Sequence, residues 1–173
     1  MTVMDSTPVS CDETASPPLT IDAIDWSGRE VIGMGGQAVI FRVVPGYVVR
    51  IADLDHGELN AQRTLAARGL ALPVLAVARN YDLPADVARD ACPRHGYRSA
   101  YMSEPDCECY SKDVLLLPEA QDTPEDQPVD DFMDMVTEAC ATLCDRDWDA
   151  RPDNVMIYNG HVVALDFGLV DEG

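Results

Sequence analysis

The sequence predicts an α+β protein in two parts: a five-stranded sheet carrying one helix, then a smaller part with one long helix and a strand hairpin. Three features predict it. β-branched and aromatic runs cut by glycine turns crowd residues 29 to 51. One short helical period follows and stops at Gly69. Beyond an acidic, proline-rich stretch, a second helical period leads into two apolar runs joined by Asn159-Gly160.

Residues 1 to 20 hold Ser, Thr, Pro and acidic residues with little apolar periodicity, so a disordered acidic tail is expected, with order beginning at Ile21. The first three strands are expected over Arg29 to Ile32, Ala38 to Val44 and Tyr47 to Ile51. The cluster Gly33-Met34-Gly35-Gly36 joins the first two and Pro45-Gly46 turns the second into the third. A helix is expected from His56 to Arg68, with Gly69 at its C-terminal cap. Two further strands are expected at Val74 to Arg79 and Tyr97 to Ser103, which places a first unit at 21–105 and a second at 106–173. Within the second, 118–131 reads as an acidic loop, and Phe132, Met135, Val136, Ala139, Cys140 and Leu143 fall at helical spacing. That apolar stripe is read as core packing.

The chain has 173 residues, enough for a substantial core, and 31 acidic against 12 basic residues give a net charge of -19. Such a charge repels nucleic-acid backbones, so direct nucleic-acid binding is not expected. No secretory signal and no apolar run near membrane-span length is visible, and a cytoplasmic protein is expected. The six cysteines are scattered and read as reduced thiols. Cys92, His95, Cys107 and Cys109 invite a zinc site, but the expected strand Tyr97 to Ser103 would hold the two pairs roughly 20 Å apart.

The residues that carry chemistry lie near the C-terminus. Asp147-Trp148-Asp149-Ala150-Arg151-Pro152-Asp153-Asn154 runs into apolar Val155-Met156-Ile157, and twelve residues after Asn154 comes Asp166-Phe167-Gly168. A carboxylate that can take a hydroxyl proton, with Asn and Asp oxygens that suit magnesium, is the set phosphoryl transfer requires. The set resembles the catalytic loop and the Asp-Phe-Gly motif of protein kinases, and the glycine cluster between two strands resembles their nucleotide-covering loop. The resemblance spans about residues 29 to 168.

The resemblance implies a two-lobe kinase-like fold with ATP and Mg2+ as cofactors. It implies Asp149 as the catalytic aspartate, Arg151 as the cation beside it, and Asn154 and Asp166 as metal ligands. Gly33, Gly35, Gly36, Met102 and Glu104 are implied to contact the nucleotide, as is Arg50 paired with Glu58. Three departures stand out. Arg50 occupies the place of the strand lysine, Ala38 that of a third glycine, and Asp147 that of a histidine, whose structural hydrogen bond must be replaced. Five residues follow Gly168, so a form strongly truncated after this motif is expected, similar to the small RIO-type kinases but more reduced.

Three functions remain open at this point. The first is an ATP- and magnesium-dependent phosphotransferase, a minimal Ser/Thr protein kinase able to act on a protein substrate or on itself, with a small-molecule acceptor as a variant. The second is a pseudokinase that binds nucleotide or scaffolds a partner protein. The third is an acidic inhibitor of a nucleic-acid enzyme.

Overall fold

A computed structural model describes residues 20–34, 38–91 and 111–168. The fold is α+β, with a five-stranded antiparallel sheet, a three-stranded antiparallel sheet and three helices. The large sheet contains β1 (Glu30–Met34), β2 (Ala38–Val44), β3 (Tyr47–Ala52), β4 (Ala76–Asp82) and β5 (Ser111–Pro118), ordered β1-β2-β3-β5-β4. The small sheet contains β6 (Gln121–Asp122), β7 (Val155–Tyr158) and β8 (His161–Ala164) in that order. The helices are α1 (His56–Ala66), α2 (Ala85–Asp90) and α3 (Asp130–Cys144).

Alternation along the strands divides the large sheet into two faces. Val39, Phe41 and Val43 of β2 join Val49 and Ile51 of β3 in a buried core, closed by Ile21, Ile24 and Trp26 from the entering chain and by Val87 of α2. Trp26 meets Phe41 edge to face with ring centroids 6.5 Å apart. Arg29 fastens α2 to this layer through Asp86 (2.8 Å) and Asp90 (2.5 Å). Ile40, Arg42, Val48 and Arg50, one residue out of phase, face the other way and line a cleft. The tight turn Pro45-Gly46 sets this register, and Gly46 takes φ +83°, which only glycine adopts without strain.

β5 is buried on both faces: Val114 and Leu116 enter the first core, while Leu115 and Leu117 pack with Val48, Leu59 and Leu72. β5 is the central partner of both β3 and β4. Several expectations change here. The fifth strand expected over Tyr97 to Ser103 lies outside the described residues, and the strand that takes the fifth place is Ser111–Pro118. Ser111–Pro118, which the expected division at 105/106 assigns to the second unit, pairs with β3 and β4 of the large sheet. The 118–131 loop is interrupted by β6, which pairs with β7 at Gln121↔Ile157 and Asp122↔Met156. β4 runs later than expected and is kinked at Asn80, whose φ is +47°. Asp113 of β5 accepts from Asn80 N at 3.0 Å and pairs with Arg79 at 2.6 Å, which holds that kink.

α1 forms where expected. Asp55 caps it by accepting from Glu58 N at 2.8 Å, and Gly69 beyond its end takes φ +73°. Its Ala61 and Leu65 pack with Val136 and Cys140 of α3, so this helix is seated on the second part of the chain as well as on the sheet. Burial of aliphatic side chains of this size stabilises by about 1.5–3 kcal/mol each. Among the described residues, no helix is long and apolar enough to cross a membrane.

Candidate functional site

The two sheets meet at a cleft of about 1040 Å³. Its apolar part is built by Ile40, Val48, Leu72, Leu117, Met156 and Leu165, and its polar end by Arg50, Asp149, Arg151, Asn154 and Asp166. Gly33 also lines it, next to β2, with Ile40 Cβ 3.6 Å from where a Gly33 Cβ would stand. The connection Pro118-Glu119-Ala120, where the chain leaves the large sheet, forms another wall. Glu119 is fixed there by Arg42 (2.9 Å to Nε) and by donation from its own amide to Gly46 O at 2.8 Å.

The loop between α3 and β7 is held together by its own hydrogen bonds. The Asp149 carbonyl accepts from Arg151 N and from the Asn154 side-chain Nδ2, both at 2.9 Å. Donation by Nδ2 fixes the amide orientation and leaves Oδ1 as the acceptor end. Asn154 N donates to Arg151 O and Leu165 N to Asn154 O, each at 2.9 Å, tying the loop to the segment after β8 that leads into Asp166. The Pro152–Asn154 turn uses proline where no amide donor is needed. The Asp149 carboxylate pairs with Arg151 at 2.5 Å, and both side chains remain open to the cleft.

Across the cleft, Arg50 donates from Nη1 to Glu58 and from Nη2 to Asp166 Oδ1 at 3.2 Å. The expected Arg50–Glu58 pair is present, but the guanidinium divides between two carboxylates instead of closing on one. Glu58 is 4 % exposed, and burial pushes its carboxyl above the ordinary value against the pull of Arg50. Asp166 sits at φ +54°, a left-handed backbone position for a residue with a side chain, and its carboxylate is half exposed.

Two residues that sequence reasoning passed over support this arrangement. The hydrogen bond expected to be lost with Asp147 has a counterpart one residue later: Trp148 Nε1 donates to Leu165 O at 2.9 Å. The same indole stacks on fully buried Phe167, centroids 6.2 Å apart, and so supports Asp166 from behind. Arg146 forms a two-pronged pair with the helix-capping Asp55 at 2.6 and 2.8 Å, joining the loop to the start of α1. That guanidinium holds the Asp55 carboxyl down at about 2.

The structure thus gathers Arg50, Glu58, Asp149, Arg151, Asn154, Asp166 and Gly33 around one cleft. Gly35, Gly36, Met102 and Glu104 lie outside the described residues, as do Cys92, His95, Cys107 and Cys109. Among the described residues no three His, Cys, Asp or Glu side chains cluster as a self-sufficient metal centre. No family model, curated protein or solved structure matches this chain.

Proposed function

We propose that the chain is an ATP- and magnesium-dependent phosphotransferase of the protein kinase-like superfamily, acting on hydroxyl groups of a protein, its own included. The observation that carries the reading is the convergence of Asp149, Asn154 and Asp166 with the Arg50–Glu58 pair at a cleft that Ile40, Val48 and Leu117 also line. The strand order β1-β2-β3-β5-β4, with α1 between β3 and β4, is consistent with the kinase-like N-terminal lobe.

The donor set fits magnesium. Asn154 Oδ1 and a half-exposed Asp166 carboxylate are hard oxygens, too few for a protein-only cage and suited to an ion shared with phosphates. Bound there, the metal would supply charge neutralisation on the triphosphate. The remaining chemistry belongs to this chain's side chains. The apolar walls Ile40, Val48 and Leu117 receive a flat base, and Arg50 and Arg151 offset charge developing on the transferred group. Asp149 orients the acceptor hydroxyl and takes its proton as oxygen bonds to phosphorus and the bond to the leaving diphosphate breaks. Arg151, 2.5 Å from that carboxylate, holds it at the cleft.

The test is phosphate transfer from γ-labelled ATP, with magnesium, to the protein itself and to a mixed protein acceptor. Asp149→Asn is expected to reduce transfer by about 10²–10⁴-fold while leaving nucleotide binding in place. Absence of transfer and of ADP release by the unmodified chain would sink the catalytic reading. A nucleotide-binding module without transfer is the second reading, favoured by the contact of Arg50 with Asp166, a residue the first reading needs for metal. Undiminished nucleotide binding without turnover would select it.

A further inference from the structure

We infer that Arg50 is a tethered counter-ion that competes with divalent metal for Asp166, so that the protein alone binds the metal weakly. The inference rests on the phosphotransferase reading and specifies how its metal site is regulated.

The two arms of the guanidinium are unequal. Nη1 is held by Glu58, whose side chain is 5 % exposed, and a buried carboxylate stripped of its cation is costly. Nη2 reaches Asp166 at 3.2 Å, the long end of hydrogen-bond range, and that carboxylate is 51 % exposed. Exposed pairs of this kind contribute little, so the Asp166 arm can release while the Glu58 arm stays. The backbone that carries Asp166 is held in place. Its left-handed backbone is pinned between the Leu165 N bond to Asn154 O and the buried ring of Phe167. The chain closes over the pair at Gly168, where a Cβ would stand 3.4 Å from Asp166 Oδ1 and 3.7 Å from Glu58 Oε2.

A divalent ion approaching Asp166 therefore meets a fixed positive charge already paired with its ligand, and the arm has to move. Lysine in this position would not act the same way. Its ammonium is a single point and, held on Glu58, lacks the second prong that forks across to Asp166.

The test titrates the full chain with Mn2+ alone, following the free-ion paramagnetic resonance signal. Arg50→Lys is expected to bind Mn2+ roughly three- to tenfold more tightly than the unmodified chain, the factor a weak ion pair accounts for. Glu58→Gln should do the opposite, because the guanidinium then closes on Asp166, and either variant alone, compared with the unmodified chain, reads the direction of its own change. Asp166→Asn, which keeps a residue tolerant of the left-handed backbone, should abolish the site in every background. Equal or weaker Mn2+ binding by Arg50→Lys, with Asp166→Asn still abolishing it, overturns the competition and leaves the phosphotransferase reading standing. Absence of any Mn2+ binding sensitive to Asp166→Asn, both alone and with a non-hydrolysable ATP analogue present, overturns both.

Discussion

Replacing Asp55 by Asn separates the two functions this side chain combines. Asp55 caps α1 through Glu58 N and pairs with both terminal nitrogens of Arg146 across 91 residues of chain. Asparagine is as good a cap as aspartate, so Asp55→Asn keeps the helix start while removing the charge and the Oδ2 acceptor that faces Arg146 Nη2. The Arg146 side chain is 11 % exposed and its Nε is already buried without a partner, so the guanidinium has no ready substitute. A fully buried pair broken this way costs about 3–5 kcal/mol and an exposed one about 0–1. Asp55 is 35 % exposed, which places the loss at about 1–2 kcal/mol, or a Tm drop of about 3–6 °C for a chain of this size.

The pH dependence gives the sharper check. The Asp55 carboxyl is depressed from 3.8 to about 2, so its contribution is complete above the ordinary value and is lost as pH falls through about 2. Thermal melts from pH 6 to pH 2.5 should show the gap between the unmodified chain and Asp55→Asn narrowing below about pH 4. Glu58, raised by burial, works in the opposite sense, gaining stability as pH falls; its burial is common to both proteins, and only the smaller push from the Asp55 charge is lost in Asp55→Asn. A gap that stays constant down to pH 2.5 would refute the charge-pair argument. So would a loss in Asp55→Asn as large as in Asp55→Ala, which should lose about 1 kcal/mol more with the cap.

Further outcomes follow from the same geometry. Gly57→Ala should destabilise despite a helix-propensity gain of about 1 kcal/mol, because the new Cβ would stand 2.0 Å from Arg146 Nη1 and moving that guanidinium breaks its pair with Asp55; denaturant melts read the sign. Trp148→Phe keeps stacking on Phe167 but deletes the bond to Leu165 O, and should lower stability by about 1 kcal/mol and phosphate transfer by a larger factor than stability explains. Burial pushes the Cys140 thiol up to about 11, so peptide mapping after brief alkylation at pH 8 should find Cys144 modified well ahead of Cys140.

What was legible in the sequence is what lies close together in it. Asp149, Arg151 and Asn154 occupy one turn-and-loop segment, and the hydrogen bonds within it join residues no more than five apart. β2 and β3 alternate because one face meets the core and the other a cleft, which leaves a period of two in the residues. β5 does not alternate. Covered on both faces, Val114-Leu115-Leu116-Leu117 is a continuous apolar run with no period to mark it as a strand. α2 is six residues long, too short to show periodicity, and it is held by Arg29 from another part of the chain. Arg146–Asp55 and Trp148–Phe167 are contacts between common residue types far apart in sequence, and nothing local marks them. The fork of Arg50 was half legible: Glu58 lies eight residues on, while Asp166 lies 116 away.

The most direct measurement is calorimetric titration of the chain with a non-hydrolysable ATP analogue, with and without magnesium, compared with Asp166→Asn. The account predicts binding that magnesium strengthens at least tenfold in the unmodified chain, with that strengthening lost in Asp166→Asn. Binding indifferent to magnesium and to Asp166, or no binding in either condition, would contradict it.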